Sequence, residues 1–255
     1  MTNIYQAVKV SEHVYWVGAI DWAIRDFHGY TTPHGSTYNA YLVMADKITL
    51  IDTVKAPFMD EMLSRIASVV DPSKIDYIIS NHSEQDHTGC LWQVAELVKP
   101  EKIFASAMGV KALGEIFHKN NSIETVKDGQ SLSLGNMDLK FMETRMIHWP
   151  DSMFSYLEKD GVLFSQDAFG MHLATFERFD DELAADMLEY EVATYYANIV
   201  LPFSAQVLKT LEKVAASGWT IKIIAPDHGP VWRKDLNFIL NLYNKWARQV
   251  RVKKA

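Results

Sequence analysis

Apolar positions along the chain change spacing from every second residue to every third or fourth, and the changes mark elements. Residues 14–18, 37–44 and 48–52 read as strands. The last two flank a polar turn at Ala45-Asp46-Lys47, which predicts a hairpin. Phe58, Met59, Met62, Leu63, Ile66, Val69 and Val70 then recur at helical steps until Asp71-Pro72-Ser73 stops them. Residues 75–80 read as a buried strand, 91–98 as a helix, 102–105 as a strand and 108–117 as a helix. Residues 131–147 are β-like with a turn at Gly135-Asn136, and 153–158 with 162–165 predict a hairpin around Lys159-Asp160-Gly161. Helices follow at 183–197 and 204–216, the second closed by Ser217-Gly218. After a strand at 220–225, a last helix puts Leu236, Ile239, Leu240, Tyr243, Trp246, Ala247 and Val250 on one face. The pattern predicts an α+β fold, two mixed sheets with helices on their outer faces.

Composition narrows the class. The 255 residues suit one large domain, and 48% apolar content is enough for a sizeable core. The formal charge of −7, without basic blocks, argues against nucleic acid as a partner. No apolar run approaches the ~20 residues that span a bilayer, so no membrane partner is expected. Residues 1–6 lack the basic flank and apolar run of a signal peptide. Cys90 is the single cysteine, which excludes an internal disulfide and a cysteine-based metal site within one chain. The expectation is a cytoplasmic protein.

The chemistry concentrates in Asn81-His82-Ser83-Glu84-Gln85-Asp86-His87, a loop expected at the C-terminal edge of the strand at 75–80. Four such donors crowded together without a cation would repel one another or titrate, so the cluster points to metal. His148, Asp167 and His228 each stand just past a predicted strand, where distant parts of the chain can converge on one rim. Seven donors exceed the four of a closed zinc site. Two metals sharing one carboxylate would use all seven, and metals in paired sites lie roughly 3.5–4 Å apart. Asp52 ends another strand and is a candidate support for the ligands or a helix cap. His13, His34 and His118 sit in polar surroundings and are expected to face solvent, whereas His28 and His172 lie in aromatic or glycine-containing loops.

The His-x-Glu-x-Asp-His motif resembles that of flavodiiron proteins, a branch of the metallo-β-lactamase-like fold. The resemblance extends to residues 50–58, His148-Trp149-Pro150-Asp151, residues 165–170 and 195–203, and Asp227-His228-Gly229-Pro230, in family order over nearly the whole chain. It implies an αββα sandwich. One iron would take His82, Glu84 and His148, the other Asp86, His87 and His228, with Asp167 and an oxygen species bridging. Hydrolytic relatives carry histidine where this chain has Glu84, and the added hard, negative donor favours iron, with zinc and manganese left open. His28, Tyr195 and Tyr196 resemble residues of the family's substrate pocket.

Flavodiiron proteins continue into a flavodoxin-like domain, whereas no phosphate-binding loop is found here. The expectation is a single domain over 1–255 without FMN, ending in a helix whose basic Lys253 and Lys254 are solvated. The resemblance therefore implies an oxygen sensor, like the stand-alone oxygen-binding diiron proteins associated with bacterial chemotaxis, that forms a peroxide-level adduct and signals to a protein partner. The alternative is an O2 or NO reductase, an oxidoreductase fed by a separate flavodoxin or rubredoxin chain. A metal-dependent hydrolase is the third reading. The family's head-to-tail pairing leaves a homodimer open, although without the flavin the functional reason for it weakens.

Overall fold

The computed structural model describes residues 5–118 and 123–250; the expectations for residues 1–4 and for Lys253 and Lys254 lie outside them. One sheet contains β1 (Val8–Lys9), β2 (Val14–Trp16), β3 (Tyr41–Val43), β4 (Thr49–Ile51), β5 (Tyr77–Ser80), β6 (Lys102–Ser106) and β7 (Ile123–Val126), in chain order. Its first four strands are antiparallel, and β4 to β7 are parallel. The other sheet contains β8 (Ser131–Ser133), β9 (Asp138–Glu143), β10 (Met153–Leu157), β11 (Val162–Gln166) and β12 (Ile223–Pro226), again in chain order. Only β11 and β12 run parallel there.

Parallel neighbours need long crossover connections, and these supply the outer layers. α1 (Met59–Ala67), the one-turn α2 (Gln85–Thr88), α3 (Leu91–Val98) and α4 (Ala107–Phe117) join the parallel strands of the first sheet. α5 (Ala185–Tyr195) and α6 (Ser204–Ala216) join β11 to β12, and α7 (Leu236–Ala247) follows.

The strand period of two divides the core into three layers. Leu50, Ile78 and Ile103 point outward to Met62, Ile66, Val94 and Leu113 of the helices. Their neighbours Ile51, Ile79 and Phe104 point inward to join Phe141, Phe164 and Ala225 of the second sheet. On the far side, Leu163 and Ile224 join Leu188, Val192, Val207 and Tyr243. Each such side chain contributes roughly 1.5–3 kcal/mol when fully buried. The result is the αββα sandwich.

The departures have local causes. The run at 37–44 divides because Asn39, fully buried, leaves the strand to join the two sheets. Its Nδ2 donates to the carbonyls of Pro226 at 2.7 Å and Gly229 at 2.9 Å, and its Oδ1 accepts from Trp16 Nε1 at 2.8 Å. Ser36–Tyr38 pairs instead with Ala19–Asp21 in a separate ribbon. The ligand segment expected as a loop contains α2. The helix predicted at 183–197 passes through a widened turn, Tyr196–Val200, before Pro202, which lacks an N–H to donate. The last helix stops at Ala247, which leaves Val250 73% exposed rather than on the apolar face. β1, β7 and the strands of that ribbon have two to four residues each, too few to register as a period.

Candidate metal centre

All seven donors stand at one edge of the sandwich, past the C-terminal ends of strands or in the loop after β9. His82 follows β5, Glu84 caps α2, and Asp86 and His87 lie within it. Asp167 immediately follows β11, and His228 lies just past β12. Two fastenings fix the loops. Asp52 accepts from Asn81 N and Nδ2, both at 2.7 Å, and so anchors the residue before His82. The Gln166 Oε1 accepts from Asp167 N at 2.6 Å while its Nε2 donates to the Ile147 carbonyl at 2.6 Å, joining the loops of Asp167 and His148. Asp52, Met146 and Gln166 all adopt positive φ, at 55°, 66° and 44°. Such geometry costs about 1–3 kcal/mol per residue and persists only where the surroundings impose it.

The donors divide into two groups with one shared member. In the first, His148 Nε2 lies 2.8 Å from Asp167 Oδ2 and 3.0 Å from Glu84 Oε2, and His82 Nε2 lies 3.2 Å from the same Asp167 oxygen. In the second, Asp86 Oδ2 lies 3.1 Å from both His87 Nε2 and His228 Nε2, which are 3.2 Å apart. The other oxygen of Asp167, Oδ1, lies 3.3 Å from His87 Nε2 and 3.5 Å from His228 Nε2. Donors on one ion at bond lengths of about 2.0–2.2 Å are separated by this kind of distance.

The donor set fits cations. His82 Nε2, Glu84 Oε2, both oxygens of Asp86 and Asp167 Oδ1 are buried without a hydrogen-bond partner among the described residues. Groups in that state ordinarily cost several kcal/mol. The electrostatics of the cluster carry the same imbalance. Burial alone would push His82 and His87 down, but Asp167 beside the first and Asp86 beside the second hold both well above the usual histidine range. Burial also opposes the rise of His148, yet the carboxylates of Asp167 and Glu84 beside it carry it up to about 9. Asp86 and Asp167 stay well below the ordinary carboxylate range against burial, through the histidines around them. Protons on imidazole thus offset charge that cations would otherwise balance.

Contacts behind the ligands orient the rings. His228 Nδ1 donates to the Thr37 carbonyl at 2.5 Å, which leaves Nε2 free to offer its lone pair. One oxygen of Asp227, Oδ2, faces His87 Nδ1 at 3.6 Å and His82 Nδ1 at 3.7 Å. Asp227 is fully buried, both its oxygens lack hydrogen bonds among the described residues, and burial together with nearby Asp52 pushes its carboxyl well up. The sequence pattern assigns it no role, although an aspartate directly before a histidine occurs twice, at Asp86-His87 and Asp227-His228.

A cleft of about 490 Å3 opens beside the groups and is lined by Phe27, His28, Lys55, Glu84 and Asp86. His28 Nδ1 lies 3.3 Å from Glu84 Oε1, so His28 stands in the cleft wall. His172, unassigned from sequence, stacks on His28 at 5.4 Å and packs 4.6 Å from His228. Burial, then His228 and His28, holds its pKa well below the usual range. Tyr195 is fully buried, and its ring lies 5.1 Å from His172 and 6.0 Å from His228. Tyr196 turns elsewhere: its hydroxyl is 3.1 Å from Ser204 Oγ, and its ring packs on Tyr243 and Trp246, because one residue along a helix rotates the side chain by about 100°. His13, expected in solvent, pairs with Asp160 at 2.7 Å.

This architecture and its rim define a metallo-β-lactamase-like protein with a two-group histidine and carboxylate cluster. The ODP family beta lactamase description matches residues 37–229, and the chain belongs to that family. It is similar to the rubredoxin-oxygen oxidoreductase of Megalodesulfovibrio gigas, with 47% identity over 254 residues, 98% of this chain and 63% of the relative. The nitric oxide reductase of Moorella thermoacetica is 43% identical over 245 residues, 95% of this chain and 61% of the relative. The chain therefore spans a little over three-fifths of these proteins. Among solved structures, rubredoxin oxygen:oxidoreductase from Desulfovibrio gigas superposes with a TM-score of 0.94 at 47% identity, over 96% of this chain and 62% of that one. The flavodiiron protein from Giardia intestinalis gives 0.90 at 37% identity, over 96% and 60%.

Proposed function

We propose that the seven donors hold two iron ions and that the chain reduces O2 or NO with electrons from a flavin- or rubredoxin-type donor. The observation that carries this reading is the division of Asp167, with Oδ2 toward His82 and His148 and Oδ1 toward His87 and His228. Held by these residues, a ferrous pair would supply one electron from each ion, and two NO with two electrons and two protons balance to N2O and water. Reduction of O2 to two waters needs four electrons and four protons, and turnover needs an external donor in both cases. Glu84 and Asp86 border the cleft. His28, held against Glu84, places a ring that can donate or accept a proton at the mouth of the cluster. The buried His172 and Tyr195 close the side beyond His228 and keep water out.

The names of the relatives favour this reading over the oxygen sensor expected from the sequence. The test is anaerobic loading with ferrous iron, metal analysis, and mixing with O2 or NO beside reduced rubredoxin or flavodoxin. Two irons per chain and sustained gas consumption are expected. A single burst without turnover in the presence of every donor would return the sensor reading.

A further inference from the structure

His172 stands beside the cluster without belonging to either group of donors. It is 3% exposed, its ring packs 4.6 Å from that of His228, and its Nε2 has no hydrogen-bond partner among the described residues. A buried polar atom in that state costs free energy, so it calls for an explanation.

Ser36 decides which nitrogen of His172 carries the proton. Its Oγ lies 2.8 Å from His172 Nδ1 and 3.2 Å from the Thr37 carbonyl. That carbonyl already accepts from His228 Nδ1 at 2.5 Å. The Ser36 hydroxyl therefore donates to His172 Nδ1, the shorter contact, and burial keeps the ring neutral. The one ring proton then sits on Nε2, which makes that atom a donor.

One ring nitrogen from each of His28, His172 and His228 lies within 4.8 Å of the other two. Nδ1 is engaged in all three rings: it faces Glu84 Oε1 in His28, Ser36 in His172 and the Thr37 carbonyl in His228. The nitrogens free to converge are the Nε2 atoms. That of His228 faces the second group of donors, 3.1 Å from Asp86 Oδ2 and 3.2 Å from His87 Nε2. His28 turns Nδ1 to a carboxylate and so offers a lone pair at Nε2, whereas His172 offers a proton.

We propose that His172 donates a hydrogen bond from Nε2 to a small anionic or anion-forming ligand held at the Asp86, His87 and His228 position, and that Ser36 is the positioning residue that fixes its tautomer. The proposal rests on the metal positions of the reading above, but not on reduction. A preorganised donor in a buried site stabilises negative charge on the ligand it touches.

Azide on the zinc-loaded protein tests this without reduction, because zinc has no redox chemistry. The parent, His172→Leu, His172→Gln and Ser36→Ala are compared at equal zinc content by infrared titration of bound azide. His172→Leu should weaken azide roughly tenfold and shift its stretching band. His172→Gln, whose amide replaces the N–H, should keep the parental affinity. Ser36→Ala should split the band, since both tautomers of His172 become populated. Equal affinity in His172→Leu and the parent, or equal loss in His172→Leu and His172→Gln, overturns the donor. Should His172→Leu fail to fold, Ser36→Ala carries the test, and a single parental band there overturns the proposal. A third zinc per chain that His172→Leu removes would make the three rings a metal site and overturn it too. If the azide pattern holds while the iron-loaded parent reduces neither O2 nor NO, the donor stands and the reductase reading falls.

Discussion

His148 Nε2 and Asp167 Oδ2 meet at 2.8 Å, in the two loops that enter and leave the β10–β11 hairpin at its open end. Gln166 fastens the contact, since its amide bonds the backbone of both loops. Gln166→Leu keeps the volume and removes both hydrogen bonds. It should lower metal affinity at the His148 position by roughly 10–100-fold, as loss of a ligand-orienting partner does. Chelator competition reads the change, and an unaltered affinity would show that the β10–β11 hairpin alone sets the loops.

Asp167 is the donor common to both groups, so its loss should uncouple them. Asp167→Ala is expected to retain at most one metal per chain by elemental analysis, with the fold intact by circular dichroism. Two metals in that variant would contradict a bridging role.

Asp227 faces the far nitrogens of His82 and His87, rings from different groups. Asp227→Ala should therefore weaken both positions together, again by roughly 10–100-fold. If only one of the two stoichiometric steps in a titration shifts, the shared orientation fails.

His28 and Tyr196, both expected at the pocket, should behave differently. His28→Ala removes the cleft-wall ring beside Glu84 and should lower the rate with O2 or NO at unchanged iron content. Tyr196→Phe removes a hydroxyl bonded to Ser204. It should leave that rate alone and cost about 1 kcal/mol of stability. Stopped-flow rates and denaturant midpoints separate the two.

Acid should release the metal, because His82, His87 and His148 must lose protons to bind and all three are raised. Metal-free protein has the complementary dependence. For His148, raised from 6.5 to about 9, the contribution to stability is complete below 6.5 and is lost as pH rises through 9. The depressed Asp86 and Asp167 contribute above the ordinary carboxylate range and lose that contribution as pH falls through their lowered values. Denaturant midpoints of metal-free protein should accordingly fall between about pH 6 and 10. A rise over that interval would refute the role given to the protonated imidazoles.

The sequence displayed the sandwich well because its two periods are strong: Ile78 and Ile79 already face opposite layers in the pattern alone. The donors were legible for a related reason, since each histidine or acid follows an apolar run that ends abruptly. What the pattern hid depends on contacts between distant segments. Asp227 looks like a surface acid until β5 and β12 are placed together, and nothing near Asn39 reveals that its amide will join two sheets. Tyr195 and Tyr196 cannot be separated until the helix phase is fixed.

Each sheet is built from one uninterrupted stretch of chain, β1 to β7 and then β8 to β12. His82, Glu84, Asp86 and His87 belong to the earlier half, and His148, Asp167 and His228 to the later. Neither half alone owns a complete set of donors. Bound cations would rivet the halves across their seam, and fragments cut in the turn before β8 should reassociate more tightly when metal is supplied.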